Sequence, residues 1–124
     1  FWITLPEAVE FVVNSFDRMS GGEIFIPRIP STTILDLAES IVPGSKIEVI
    51  GIRPGEKLHE EMISADDSRR TIILEDRYVV TPVVAEWGYV PPIGRKMLEG
   101  QAYRSDSNDL WMSESDIKNF IKNL

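Results

Sequence analysis

Arg53 and Glu56 are the residues of this chain best placed by type and spacing to do chemistry. They sit in the stretch Gly51-Ile52-Arg53-Pro54-Gly55-Glu56-Lys57-Leu58-His59-Glu60-Glu61. An apolar, β-branched run, Ile47 to Ile50, precedes it and reads as a strand. Pro54 suits the first turn of a helix, where its missing N–H costs nothing, and it biases Arg53 toward an extended backbone. The spacing therefore predicts a short helix after Pro54, with Arg53 at a strand-to-helix junction beside free N–H groups. A guanidinium and a helix N-terminus together form an anion site that suits a diphosphate. Gly51 and Gly55 let a ligand approach the backbone. The plainer alternative is that Arg-Pro-Gly is a turn and Arg53 pairs with a surface carboxylate.

Other chemically capable residues are few. His59 is the only histidine. With Glu60 and Glu61 it makes a poor metal set, because consecutive helical residues do not face one site; packing is the better reading. Arg69-Arg70 could touch phosphate, but Asp66-Asp67 beside it can satisfy it internally. Trp87, Trp111 and Tyr103 could stack a base, although Trp111, just before a capped helix, reads as core. No G-x-G-x-x-G follows a strand, so the dinucleotide fingerprint is absent. No Tyr-x-x-x-Lys pair exists: Tyr78, Tyr89 and Tyr103 are followed four residues later by Pro82, Ile93 and Ser107. No catalytic or metal-binding residue is assigned in this chain.

The elements that must hold these residues are legible from caps and periodicity. Thr4 with Glu7 makes a capping box ahead of Ala8, Val9, Phe11, Val12, Val13 and Phe16, predicting a helix over 5–19 stopped by Gly21-Gly22. Glu23 to Ile26 reads as a short strand, followed by an irregular link bracketed by Pro27 and Pro30. Ile34, Leu35, Leu37, Ala38, Ile41 and Val42 have helical spacing and predict a helix over 33–42. Lys46 to Ile52 predicts a strand. Ala65 to Arg70 reads as a helical turn. Thr71–Leu74 and Arg77–Thr81 predict a hairpin around Glu75-Asp76. Residues 87–110 lack periodicity and read as loop. Ser113 with Asp116 caps a last helix over 114–123, whose apolar face is Ile117, Phe120, Ile121 and Leu124. The expected fold is α/β, a short sheet with three main helices in one domain over 1–124.

Composition limits the function classes. The chain has 124 residues, 43% hydrophobic, and a net charge of −7. That charge argues against a general nucleic-acid surface and leaves any anion site to a few placed cations. Apolar runs of a few residues are far too short to span a membrane. The absence of cysteine excludes disulfides and thiolate metal sites, and fits a reducing cytoplasm.

Taken together, the motifs resemble a known family. GIRPGEKLHEEMIS resembles the signature near the C-terminus of bacterial nucleotide-sugar 4,6-dehydratases, extended short-chain dehydrogenase/reductase enzymes of capsule and flagellin-glycan synthesis. In the same order as in the family, FWITLPEAVEFV resembles the segment in which the chain enters its substrate domain, GGEIFIPRIPS and ILDLAESI the next strand and helix, and YRSDSNDLWMSESDI the closing segment and last helix, so the likeness covers nearly the whole chain. The inverting UDP-N-acetylglucosamine 4,6-dehydratases, used for pseudaminic acid and capsular sugars, are the branch it resembles. This implies an enzyme that oxidises C4 of the sugar with bound NADP, eliminates water across C5 and C6, and returns hydride to C6. Its catalytic groups and NADP site lie on an N-terminal Rossmann part. Because the chain begins at Phe1 without those motifs, it is expected to be the substrate-binding C-terminal piece of a longer enzyme, inactive alone.

The resemblance also implies site residues: Arg53 on the UDP diphosphate and Glu56 on the ribose hydroxyls, with Arg28 and Pro30 in a link that runs near the nucleotide. A favourable first-turn acid is the other role for Glu56, and a surface loop the other setting for Arg28. Tyr103, Ser105 and Asn108 match the family's closing Tyr-x-Ser-x-x-Asn segment. The expected partners are a UDP-sugar and the Rossmann part, with self-association where that part is missing. The alternatives are a non-catalytic interaction module, or the same portion of a related epimerase or reductase.

Overall fold

The computed structural model describes residues 1–85 and 88–122. Trp87, Leu124 and the last position of the helix expected over 114–123 lie outside the described residues. The elements are α1 (Leu5–Phe16), β1 (Ile24–Pro27), α2 (Ile34–Ile41), β2 (Glu61–Ile63), a 3-10 turn (Asp67–Arg70), β3 (Thr71–Ile73), β4 (Arg77–Val80), β5 (Arg95–Lys96), β6 (Tyr103–Arg104) and α3 (Glu114–Lys122). Three helices and a small sheet are as the sequence implied.

The caps form as expected. The Thr4 hydroxyl accepts from the Glu7 N–H at 3.3 Å, and the Glu7 carboxylate accepts from the Thr4 N–H at 2.8 Å. These contacts satisfy orphan donors at the start of α1, and the Thr4 hydroxyl and N–H, both donating to the Glu7 carboxylate, hold it below its usual range. Ser113 and Asp116 make the same reciprocal pair before α3. α1 ends a turn earlier than expected. The Glu23 carboxylate takes the N–H groups of Ser20 and Gly21, which turns the chain toward β1 before Gly22.

β4 is the centre of the main sheet, whose strand order is β1-β4-β3-β5 with every pair antiparallel. The predicted hairpin is present, with Thr71 opposite Val80 and Ile73 opposite Tyr78. All four residues of β4 are buried. Ile26, Tyr78, Val80, Met97, Ile63 and Tyr103 form the core, with Phe1, Met62 and Ile73 against it. Gly94 lies so close to β3 that a Cβ there would meet the Ile72 side chain at 2.6 Å and the Ile73 carbonyl at 2.8 Å.

Arg77 locks α1 to this sheet. It is 2% exposed. Its guanidinium donates to Asp76 at 2.7 and 2.9 Å and to the Ser15 hydroxyl at 2.9 Å, and lies 4.7 Å over the Phe11 ring. The hydrogen bonds from Arg77 hold the Asp76 carboxyl below its ordinary range.

Four further expectations are corrected. Trp111 is not core: it is 48% exposed, and its indole N–H donates to the Asn108 carbonyl at 2.7 Å. Residues 46–52 form no strand: they are extended in composition but find no ladder partner among the described residues, and Val49 is 88% exposed. A β-branched run becomes a strand only when a neighbouring edge takes its N–H and C=O groups. No helix follows Pro54, for the reason given with the site below. Residues 87–110 are not all loop, since β5 pairs with β3 and β6 with β2. Those strands are two residues long, too short to leave a period in the sequence.

Candidate functional site

Arg53 to Glu56 is a β-turn. The Glu56 N–H donates to the Arg53 carbonyl at 3.0 Å, Pro54 takes the second position, and Gly55 takes the third with φ of +87°. A type II turn demands that positive φ, and Pro-Gly supplies it at little cost, so the turn prevails over helix initiation. The helix N-terminus expected beside Arg53 is therefore absent, and any anion site rests on the guanidinium and the turn.

The two residues singled out are nonetheless brought together. The Arg53 Nε donates to Glu56 Oε1 at 2.7 Å, its Nη2 approaches the same oxygen at 2.6 Å, and its backbone N–H donates to Oε2 at 2.7 Å. The Arg53 side chain is 77% exposed, so one edge of the fork is held and the rest faces water. A carboxylate has about four lone-pair positions. Three are engaged, which leaves one, on Oε2, for an outside hydroxyl. Glu56 and Lys57 also line a cleft of about 820 Å³ between the start of α2 at Ile34 and the 49–60 stretch. Glycines 51 and 55, the apolar Val49, Ile50, Ile52 and Leu58, and the acidic Glu60 complete its walls.

Arg28 and Pro30 line a different groove, of about 480 Å³, with Trp2, Phe11, Asp76 and Phe120. Arg28 is tied to the β3–β4 turn: its N–H donates to the Asp76 carbonyl at 3.2 Å and its Nη1 to the Glu75 carbonyl at 3.1 Å. Its Nε is buried without a hydrogen-bond partner. The four sequence-derived residues thus fall into two pairs in two grooves. Arg69 and Arg70 are satisfied internally, Arg69 by Glu99 at 3.0 Å and Arg70 by Asp67 at 2.7 Å and the Thr81 carbonyl at 2.8 Å.

Local reading of the sequence missed two clusters. His59 packs on Arg104, whose Nη2 lies 2.6 Å from His59 Nε2, while Arg104 also grips Asp106 at 2.9 and 3.0 Å. A guanidinium can only donate, so Nε2 is the acceptor in this contact. Tyr103 and Asn108 both reach Ile29, far away in the chain. The Tyr-x-Ser-x-x-Asn spacing was the signal for them, without a role attached. Among the described residues no group of three or more His, Asp or Glu is arranged to hold a metal ion. No helix among them is long and apolar enough to cross a membrane.

Comparison with known proteins supplies the family. A family model described as "Polysaccharide biosynthesis protein" matches residues 1–82. The inverting UDP-N-acetylglucosamine 4,6-dehydratase of Campylobacter jejuni subsp. jejuni serotype O:2 is 44% identical across 98% of this chain, which covers 39% of that enzyme. The UDP-glucose 4-epimerase of Rickettsia canadensis is 35% identical across 63% of this chain, 24% of its own length. Among solved structures, that of Pen from Bacillus thuringiensis superposes with a TM-score of 0.79 at 27% identity, over 99% of this chain and 37% of that one. The chain thus spans well under half the length of these relatives. The fold agrees with Pen over almost every residue and the sequence with the family model over residues 1–82, which include the Arg53–Glu56 turn; the chain belongs to the polysaccharide biosynthesis protein family.

Proposed function

We propose that this chain is the nucleotide-sugar-binding portion of a cytoplasmic UDP-N-acetylglucosamine 4,6-dehydratase serving bacterial surface-polysaccharide or flagellin-glycan synthesis. The observation that carries the proposal is the Arg53–Glu56 turn at the edge of an open cleft. The relation to a dehydratase along nearly all of the chain supports it.

The pair suggests how a diphosphate and a ribose are recognised together. With Arg53 on Glu56, the carboxylate has room for one hydroxyl. A diphosphate offers the guanidinium a bidentate partner of higher charge and draws the fork away from Glu56. That move frees Oε1, and the carboxylate then accepts from both ribose hydroxyls. Phosphate and ribose recognition are thereby coupled through one ion pair. Arg28 and Pro30, in the other groove, stand as the second contact region.

α1 and α2 contain no buried residue, although Leu5, Val9, Val12, Phe16, Ile34 and Ile41 are large and apolar. Such faces mark surfaces that a partner covers. In this reading the partner is the remaining, Rossmann part of a longer enzyme, and the isolated chain self-associates through them. The residues present do not fit a dinucleotide, since no glycine-rich strand-to-helix junction occurs. NADP and the proton transfers therefore belong to that other part, and the chain alone is inactive.

The test is incubation of the full-length protein, and of residues 1–124 alone, with UDP-N-acetylglucosamine and NADP, followed by mass analysis. The full-length protein is expected to yield a 4-keto product lighter by one water, and the short form none. Turnover by residues 1–124 alone overturns the division of labour. The match to UDP-glucose 4-epimerase favours a second reading, the same portion of an epimerase. A product of unchanged mass and altered configuration selects it.

A further inference from the structure

We infer that residues 103–108 are a strap that holds the two candidate binding stretches, 28–31 and 56–61, in one register, with Tyr103, Ser105 and Asn108 as its positioning residues. One side of the strap clamps the first stretch. The Tyr103 hydroxyl accepts from the Ile29 N–H and donates to the Ile29 carbonyl, both at 3.0 Å. Asn108 Nδ2 donates to that same carbonyl at 2.8 Å and to the Ser31 hydroxyl at 3.0 Å. The carbonyl's two lone pairs are thus both used, and Ile29 is held on every polar backbone atom. Ser31, fully buried, continues the seam through its N–H to the Leu110 carbonyl at 2.9 Å and its carbonyl to the Met112 N–H at 2.9 Å.

The other side of the strap clamps the second stretch. Glu61 stands opposite Arg104 and Ile63 opposite Tyr103 in the β2–β6 pair. The Ser105 N–H donates to the Glu60 carbonyl at 2.8 Å, and the Ser105 hydroxyl accepts from the Glu60 N–H at 2.9 Å. Arg104 adds its contact to His59. Between the two stretches the chain runs through α2 and the unpaired residues 45–53, which provide no ladder to tie them. The strap supplies that tie, and neither the Tyr103 nor the Asn108 side chain needs to reach a ligand. Tyr103 is 4% exposed, between the Phe1 and Tyr78 rings at 4.7 and 4.6 Å.

The ligand arm of this inference rests on the nucleotide-sugar reading above; the structural arm does not. The experiment is hydrogen exchange with mass detection on the full-length protein and on Tyr103→Phe, Asn108→Asp and Ser105→Ala, together with UDP titration. Tyr103→Phe keeps the ring stack and removes both hydrogen bonds. Ser105→Ala acts from the opposite side. Each substitution is expected to speed exchange in both stretches, including the one it does not touch. Each is also expected to weaken UDP about three- to tenfold, the size of one lost hydrogen bond. Turnover at saturating sugar nucleotide should stay within about twofold, so that the loss falls on KM, as expected for weakened ground-state and transition-state binding alike. Exchange that rises only in the touched stretch, with UDP affinity unchanged, overturns the strap and leaves local staples. Coupled exchange with no UDP binding even by the parent upholds the strap and overturns the nucleotide-sugar reading instead.

Discussion

Replacing Arg53 by alanine in the full-length protein separates a ligand-binding arginine from a surface one. Arg53 is three-quarters exposed, and its one side-chain partner among the described residues is Glu56, three residues on. An exposed ion pair of this kind contributes at most about 1 kcal/mol to stability. The substitution should therefore leave the unfolding midpoint nearly unchanged. Its effect on binding is larger. A hydrogen bond to a charged group contributes on the order of 1.5–3 kcal/mol, which is roughly ten- to hundredfold in affinity. Part of that gain is offset in the parent protein by breaking the Glu56 contact, so the lower half of the range is expected. Calorimetric titration with UDP reads the difference. Arg28→Ala and Arg69→Ala serve as comparisons, because Arg28 is tied to the β3–β4 turn and Arg69 to Glu99. If Arg53→Ala binds UDP as tightly as the parent while either comparison loses it, the anion site is elsewhere and the coupled Arg53–Glu56 scheme is wrong.

Arg77→Met should cost about 3 kcal/mol, the low end for breaking a buried charge pair, because Asp76 stays half in water; an unchanged urea midpoint contradicts its role as the lock on α1. The carboxyls of Asp67 and Asp76 are held low, by the Ser64 hydroxyl with Arg70 and by Arg77 respectively. Their folded values lie below their unfolded ones, so their contribution is present above about pH 4 and lost as pH falls through the folded values. Melting temperature should accordingly hold between neutrality and about pH 5 and drop below about pH 4, and a rise on acidification refutes the assignment. Residues 1–124 alone should self-associate through α1 and α2; light scattering that reports a clean monomer at high concentration counts against those faces as partner surfaces.

What the sequence revealed was what local chemistry decides. Thr4 with Glu7 and Ser113 with Asp116 announce their helices because each cap is complete within four residues. The β3–β4 hairpin is legible because both strands and their turn are contiguous. The 46–52 stretch misleads because its strand character needs an edge that no local pattern reveals. Pro54 misleads because proline suits a helix start and the second position of a turn equally, and Gly55 decides between them. Arg53 and Glu56 are neighbours either way, so their pairing survives the wrong element. The strap was not legible as a mechanism, since Tyr103 and Asn108 meet residues 29 and 31 across more than seventy positions of chain.

We propose that the Arg53–Glu56 turn grips the nucleotide. The most direct measurement is a crystal structure of the full-length protein with UDP-N-acetylglucosamine. The expected result is the Arg53 guanidinium on the diphosphate, Glu56 released from it and accepting from the ribose hydroxyls, and the 28–31 link held by Tyr103 and Asn108 as it is here. A diphosphate bound elsewhere, with Arg53 still closed on Glu56, contradicts it.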